Sequence, residues 1–169
     1  EVKEVFIKES VEECIVDYGN TILYSSARNE YMINRLERLM RRTVWALTKQ
    51  LEKGEFEPVG FEVVYDSGAI SLENNHAMRV YGKIDRVDIF EEDDKILVKV
   101  VDYKSSEKDI SIDDIYNGVN LQLMVYLNSI LSGVKEKNPD KEIIAAGALY
   151  SKVDNPIVDK EDDLEKKLL

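Results

Sequence analysis

Residues 82–88 read Gly-Lys-Ile-Asp-Arg-Val-Asp, and residues 100–106 read Val-Val-Asp-Tyr-Lys-Ser-Ser. Each is a largely apolar run that admits a carboxylate, and the second adds an amine two residues later. Side chains alternate along a strand, so Asp102 and Lys104 point to one face and Tyr103 to the other. Folding the chain back through Glu-Glu-Asp-Asp-Lys at 91–95 sets residues near Asp85 opposite residues near Asp102. Two carboxylates and one ammonium then share a site. Bare carboxylates held within a few Å repel, and one takes up a proton; a hard divalent cation removes that penalty by using the oxygens as ligands. Mg²⁺ suits so sparse a set, because it normally takes one or two protein carboxylates and keeps waters and phosphate oxygens besides. Mn²⁺ is the natural substitute. A water activated there can attack phosphorus, with Lys104 orienting it or offsetting charge on the phosphoryl oxygens. The D-x-K spacing alone equally fits an exposed ion pair at a strand end, worth at most about 1 kcal/mol.

Three further residues bear on that choice. Gly82 leaves room for close approach of a substrate or another backbone, or marks a simple bulge. Gln122 and Tyr126 are four apart on a helical stripe with Val119, which aims both at the sheet that carries the acids. A buried Gln needs partners, and metal waters, phosphates or sheet backbone would supply them.

The elements that must hold these residues are legible from periodicity. From residue 26 to 54, apolar residues at Ile33, Leu36, Met40, Val44, Leu47 and Leu51 mark a long helix with one buried stripe, stopped by Gly54. The cluster Arg38, Arg41 and Arg42 on it reads as a solvated face, with phosphate contact as the alternative. Residues 59–68, 69–75, 76–90 and 94–106 are rich in β-branched and aromatic residues, and Asp-Ser-Gly, Asn-Asn and Glu-Glu-Asp-Asp-Lys separate them as turns of an antiparallel meander. Residues 111–133 form a second helix, with Ser111 and Asp114 at capping-box spacing and a stripe of Ile115, Val119, Leu123, Tyr126 and Ile130. Residues 142–153 fit a final buried strand. The N-terminal residues 11–19 suggest another helix. The expected fold is α/β (α+β): helix, three to four mostly antiparallel strands, helix, strand.

Composition narrows the class. At 169 residues, with 44% hydrophobic and 34% charged residues, the chain suits one folded domain. No apolar run approaches the roughly 20 residues that cross a bilayer, and no membrane partner or secretion signal is read. The single Cys14 can close no internal disulfide and reads as a buried structural thiol, which makes the cytoplasm the expected location. A net charge of −11 opposes long-range steering of a nucleic acid, so DNA binding would need divalent cations or a basic partner. The charge-dense end, residues 151–169, reads as a solvated flank.

Taken together, G-x-I-D-x-V-D, D-Y-K-S and L-Q-L-x-x-Y-L resemble the PD-(D/E)xK nuclease superfamily, within it the RecB-like domains, and among those the nuclease domains of the B subunits of AddAB-type helicase/deoxyribonucleases. The resemblance covers residues 22–150 and implies a restriction-endonuclease-like core there, with residues 1–21 as a helical flank. It implies that Asp85 and Asp102 bind the catalytic Mg²⁺, that Lys104 assists the attacking water, and that Gln122 and Tyr126 form the Q-x-x-x-Y motif beside them. Glu62 falls on an acidic position that recurs on the first strand. The implied activity is Mg²⁺-dependent exonucleolytic cleavage of DNA during double-strand-break repair and recombination, on a single strand fed by a helicase A subunit. Two departures stand out. The family's metal-binding His is not matched by His76, which reads as an exposed turn residue, and is expected upstream of residue 1. The cysteines that hold an iron–sulfur cluster in such B subunits are not in this chain, which reads as a fragment of a larger protein. The alternatives are a non-catalytic binding module on the same fold, or another RecB-like exonuclease of CRISPR-associated or phage type.

Overall fold

The computed structural model describes residues 2–17, 24–71, 76–106 and 110–154, and the chain divides into two compact units, one holding residues 1–50 and one residues 51–152. The first contains helix α1 (Val2–Asp17) and most of α2 (Ala27–Lys53). Ile7, Val11 and Ile15 recur every four residues on α1, and Val11 and Ile15 cluster with Ile33 and Met40 of α2. Ser26 opens α2 by accepting a hydrogen bond from the Asn29 amide at 3.3 Å, and Gly54 follows its last residue. Of the expected stripe only Ile33 is fully buried, and Leu36 lies in solvent. Cys14 is exposed, not buried, because it sits at the margin of the α1 stripe.

The second unit is a four-stranded mixed sheet in the order β1 (Glu57–Ser71), β2 (Ala77–Glu92), β3 (Lys95–Lys104), β4 (Glu142–Lys152). Asp93 and Asp94 make the two-residue turn of the β2–β3 hairpin, with Glu92 opposite Lys95. β4 lies parallel to β3, which demands a crossover; helix α4 (Gln122–Lys137) supplies it. Ile96, Val98 and Val100 of β3 and Val87 of β2 meet Leu123 in a core that Met124, Leu127, Ile130 and Val134 of α4 complete. Restriction-endonuclease-like cores are built on such a mixed sheet with its crossover helix packed on it.

The structure corrects three expectations. Asp-Ser-Gly at 66–68 is not a turn: β1 runs through it, and the break survives only as a register shift between Asp66 and Ala69. Three strands therefore precede the crossover. The second helix is two helices, because Gly118 takes φ +74° after the short α3 (Ile112–Tyr116), and Val119 leaves the buried stripe for solvent. Ser111 does cap α3, accepting from the Asp114 amide at 3.2 Å. β4, expected to be buried, is an edge strand and only half-buried, since one neighbour and one helix cover it.

Strand β2 carries one irregularity. Tyr126 stacks over Gly82, and Ile84 and Val87 both enter the core beneath α4 although they are three residues apart. The inward–outward alternation of β2 therefore slips by one around Asp85. Across the ladder the same level of β1 is occupied by Glu62, whose φ of 51° is left-handed and uncommon for a side-chain-bearing residue.

Candidate active site

Asp102 and Lys104 share a face, as strand alternation requires, and Lys104 Nζ stands 2.5 Å from Asp102 Oδ2. Asp102 is only 3% exposed. From α4, Gln122 Nε2 donates to Asp102 Oδ1 at 3.3 Å and to the Tyr126 hydroxyl at 3.2 Å. The four-residue spacing puts both side chains on one turn of helix, and Gly82 makes the space for the phenol: a Cβ built there would lie 2.9 Å from its oxygen. The glycine thus admits a tyrosine ring.

The β2–β3 ladder ends at Arg86 opposite Val101, one step before Asp85 and Asp102. Asp85 is tied to β3 by its side chain: Oδ2 accepts from the Tyr103 amide at 2.6 Å. The contact with Asp102 lifts the Lys104 pKa above the ordinary lysine value; Tyr150 and Asp85 pull the same way, and burial opposes them. Lys104 is accordingly an ammonium at neutral pH, a source of charge and hydrogen bonds rather than a base. The five residues singled out in sequence therefore fall into one neighbourhood. Asp102, Lys104, Gln122 and Tyr126 are joined in a chain of contacts, and Asp85 enters through the Tyr103 amide and the field at Lys104.

The donor set fits a small divalent cation. Asp102 Oδ2 is buried against the Lys104 ammonium, 2.5 Å away. A buried carboxylate needs a cation, and here the ammonium serves; a divalent ion at the same oxygens would share that role. Among the described residues no group of three or more His, Cys, Asp or Glu side chains converges. Two carboxylates still match the sparse protein coordination of Mg²⁺.

Glu62 is apart from this chain of contacts. It is exposed and pairs with Lys83 Nζ at 2.6 Å, which raises the Lys83 pKa. His76 is exposed just ahead of β2. Sequence reasoning passed over two residues on the rim. Tyr150 of β4 lies beside Asp102 in register, its ring 5.6 Å from Lys104 Nζ, and its hydroxyl donates to Asn120 Oδ1 at 3.3 Å. The signal available was weak, a tyrosine ending the apolar run of the last strand, and the parallel register that brings it here could not be read from spacing.

Residues 2–168 match the model of the PD-(D/E)XK nuclease superfamily. The chain is 41% identical over 162 residues to the B subunit of the ATP-dependent helicase/deoxyribonuclease of Lachnoclostridium phytofermentans, an alignment covering 94% of this chain and 14% of the relative. It is 37% identical over 183 residues to the protein of the same name from Alkaliphilus metalliredigens, covering 99% of this chain and 16% of that one. The chain spans about one seventh of the length of these curated relatives.

Proposed function

The chain belongs to the PD-(D/E)XK nuclease superfamily, and from that premise we propose that it hydrolyses phosphodiester bonds of DNA with Mg²⁺ or Mn²⁺ held by Asp85 and Asp102. The observation that carries the reading is the buried Asp102 carboxylate paired with an ammonium at the point where β2 and β3 cease to pair, with Asp85 one step across the gap. A divalent ion at these carboxylates would supply Lewis acidity and neutralise charge on the phosphate. The protein's own part is positional. Gln122 fixes the Asp102 carboxylate by donating to Oδ1, and Tyr126 holds Gln122. Lys104 donates to the attacking water or to a non-bridging phosphate oxygen, where negative charge grows as the water oxygen bonds to phosphorus and the bond to the leaving oxygen breaks; solvent takes the water's proton and protonates the leaving oxygen.

The relatives' name supports a wider proposal. The chain acts as the nuclease part of a helicase–nuclease B subunit; an A-subunit partner that delivers a single strand, in cytoplasmic double-strand-break repair and recombination, extends that proposal beyond the name. The test is to incubate the purified chain with end-labelled single-stranded DNA and Mn²⁺ beside Asp102→Ala and Lys104→Ala. Cleavage by the wild type and not by the variants is expected. Equal cleavage by all three, or none by any, overturns the assignment.

A further inference from the structure

On the face of the sheet opposite the candidate site lies a second charged cluster. Asp88, fully buried, receives Arg86 through Nε at 2.8 Å and Nη2 at 2.9 Å, and meets Lys99 Nζ at 3.0 Å. Arg86 is 2% exposed; its Nη1 donates to the Tyr103 hydroxyl at 2.9 Å. Lys99 Nζ sits 4.4 Å from the Phe56 ring centre. Burying two charges and half-burying a third is expensive, and replacing such a cluster with apolar residues commonly costs nothing in stability. A task other than stability is therefore the better account of it.

Its position names the task. The β1–β2 ladder continues outward to Ser71 opposite Ala77, and the β3–β4 ladder to Lys104 opposite Lys152. Between them the β2–β3 ladder stops at Arg86 opposite Val101, so the two central strands carry Asp85 on one side and Asp102 and Lys104 on the other without a ladder bond to space them. Tyr103 ties that fork in two ways: its amide donates sideways across the unpaired gap to Asp85 Oδ2, and its phenol accepts from Arg86 on the face turned away from Asp102.

We propose that Tyr103 and Arg86 are positioning residues: Asp88 and Lys99 lock the Arg86 guanidinium, Arg86 anchors the Tyr103 phenol, and the anchored backbone fixes the separation of the Asp85 and Asp102 carboxylates. The cluster would thereby set cation affinity from behind the sheet. The proposal rests on the metal-site reading for its consequence, though not for its geometry.

The experiment uses the full 169-residue chain and the variant Tyr103→Phe, which keeps the ring and the amide and loses only the hydroxyl. Two quantities are read: amide hydrogen exchange at residue 103 without metal, and Mn²⁺ affinity by electron paramagnetic resonance. The expected result is exchange at least about tenfold faster and Mn²⁺ affinity at least about fivefold weaker, with a cooperative unfolding transition retained. Arg86→Lys, which keeps charge but cannot reach Asp88 and Tyr103 together, should reproduce both effects. Wild-type protection at residue 103 in Tyr103→Phe overturns the proposal, as does unchanged Mn²⁺ affinity with a lowered melting temperature, the mark of a purely structural cluster. Should the wild type itself bind no Mn²⁺, the metal-site reading fails, and the exchange measurement alone decides whether the anchor exists.

Discussion

At the scale of single residues, Asp102 and Lys104 compensate each other. Asp102 is almost wholly buried, and its two oxygens have Gln122 and Lys104 as their neighbours. Removing the ammonium leaves a buried carboxylate with one amide donor, so Lys104→Ala is expected to destabilise the chain by about 1–3 kcal/mol, the desolvation penalty of a group stripped of its partner. Urea denaturation checks this, and the sign is diagnostic in the double variant. Lys104→Ala with Asp102→Asn carries no orphaned charge and should be more stable than Lys104→Ala alone. If the double variant is the less stable, the pair contributes through packing and not through charge. Glu62 offers a contrast. Its ion pair with Lys83 is exposed, and surface pairs of that kind contribute little, so Glu62→Gln should leave stability within about 0.5 kcal/mol.

At the scale of elements, two glycines shape the site in different ways. Gly118 has open space where a Cβ would go, so its requirement is purely one of backbone: φ +74° separates α3 from α4 and sets where Gln122 begins its helix. Gly118→Ala should cost about 1–2 kcal/mol and Gly118→Asn clearly less, because Asn tolerates the left-handed region. Equal costs would show that something other than φ is at stake. Gly82 is a matter of space, since a Cβ there must displace the Tyr126 phenol and with it the contact to Gln122. Gly82→Ala is expected to cost about 1–3 kcal/mol, as overpacking does, and measurably less in a Tyr126→Phe background. These two positions also show what a sequence can and cannot disclose. Period-two runs separated by Glu-Glu-Asp-Asp-Lys made β2, β3 and their antiparallel pairing legible, and with them the meeting of Asp85, Asp102 and Lys104. Asn117-Gly118 is itself a turn dipeptide, but the apolar stripe runs through it, and periodicity is blind to a single left-handed residue. Asp-Ser-Gly read as a turn because its composition suits one, but pairing with β2 on both sides absorbed it as a bulge. The slip at Asp85, the Tyr103 anchor and the parallel placing of Tyr150 depend on contacts across strands, which no local pattern encodes.

At the scale of the whole molecule, the sign of the charge sets how the chain should meet its substrate. A protein that grips DNA with lysines and arginines releases counterions, and its affinity falls steeply as salt rises. This chain carries −11, with 34 acidic residues against 23 basic, and its candidate site is built around two carboxylates. Like charges dominate the long-range field, and that field extends about 30 Å at 10 mM salt but only about 10 Å at 100 mM. Raising salt across that range therefore removes repulsion before it removes attraction. At fixed Mn²⁺, the KM of the isolated chain for single-stranded DNA is expected to fall, by roughly two- to fivefold, as NaCl rises from about 10 to about 100 mM, and kcat should change less. Steady-state cleavage of a labelled oligonucleotide at several salt concentrations measures it. A KM that instead climbs steeply over the same range would mean that a local basic surface, such as the arginines of α2, governs binding despite the net charge, and that the chain tracks DNA unaided. The predicted slope is the one that the proposed nuclease unit would show when tested without a basic partner.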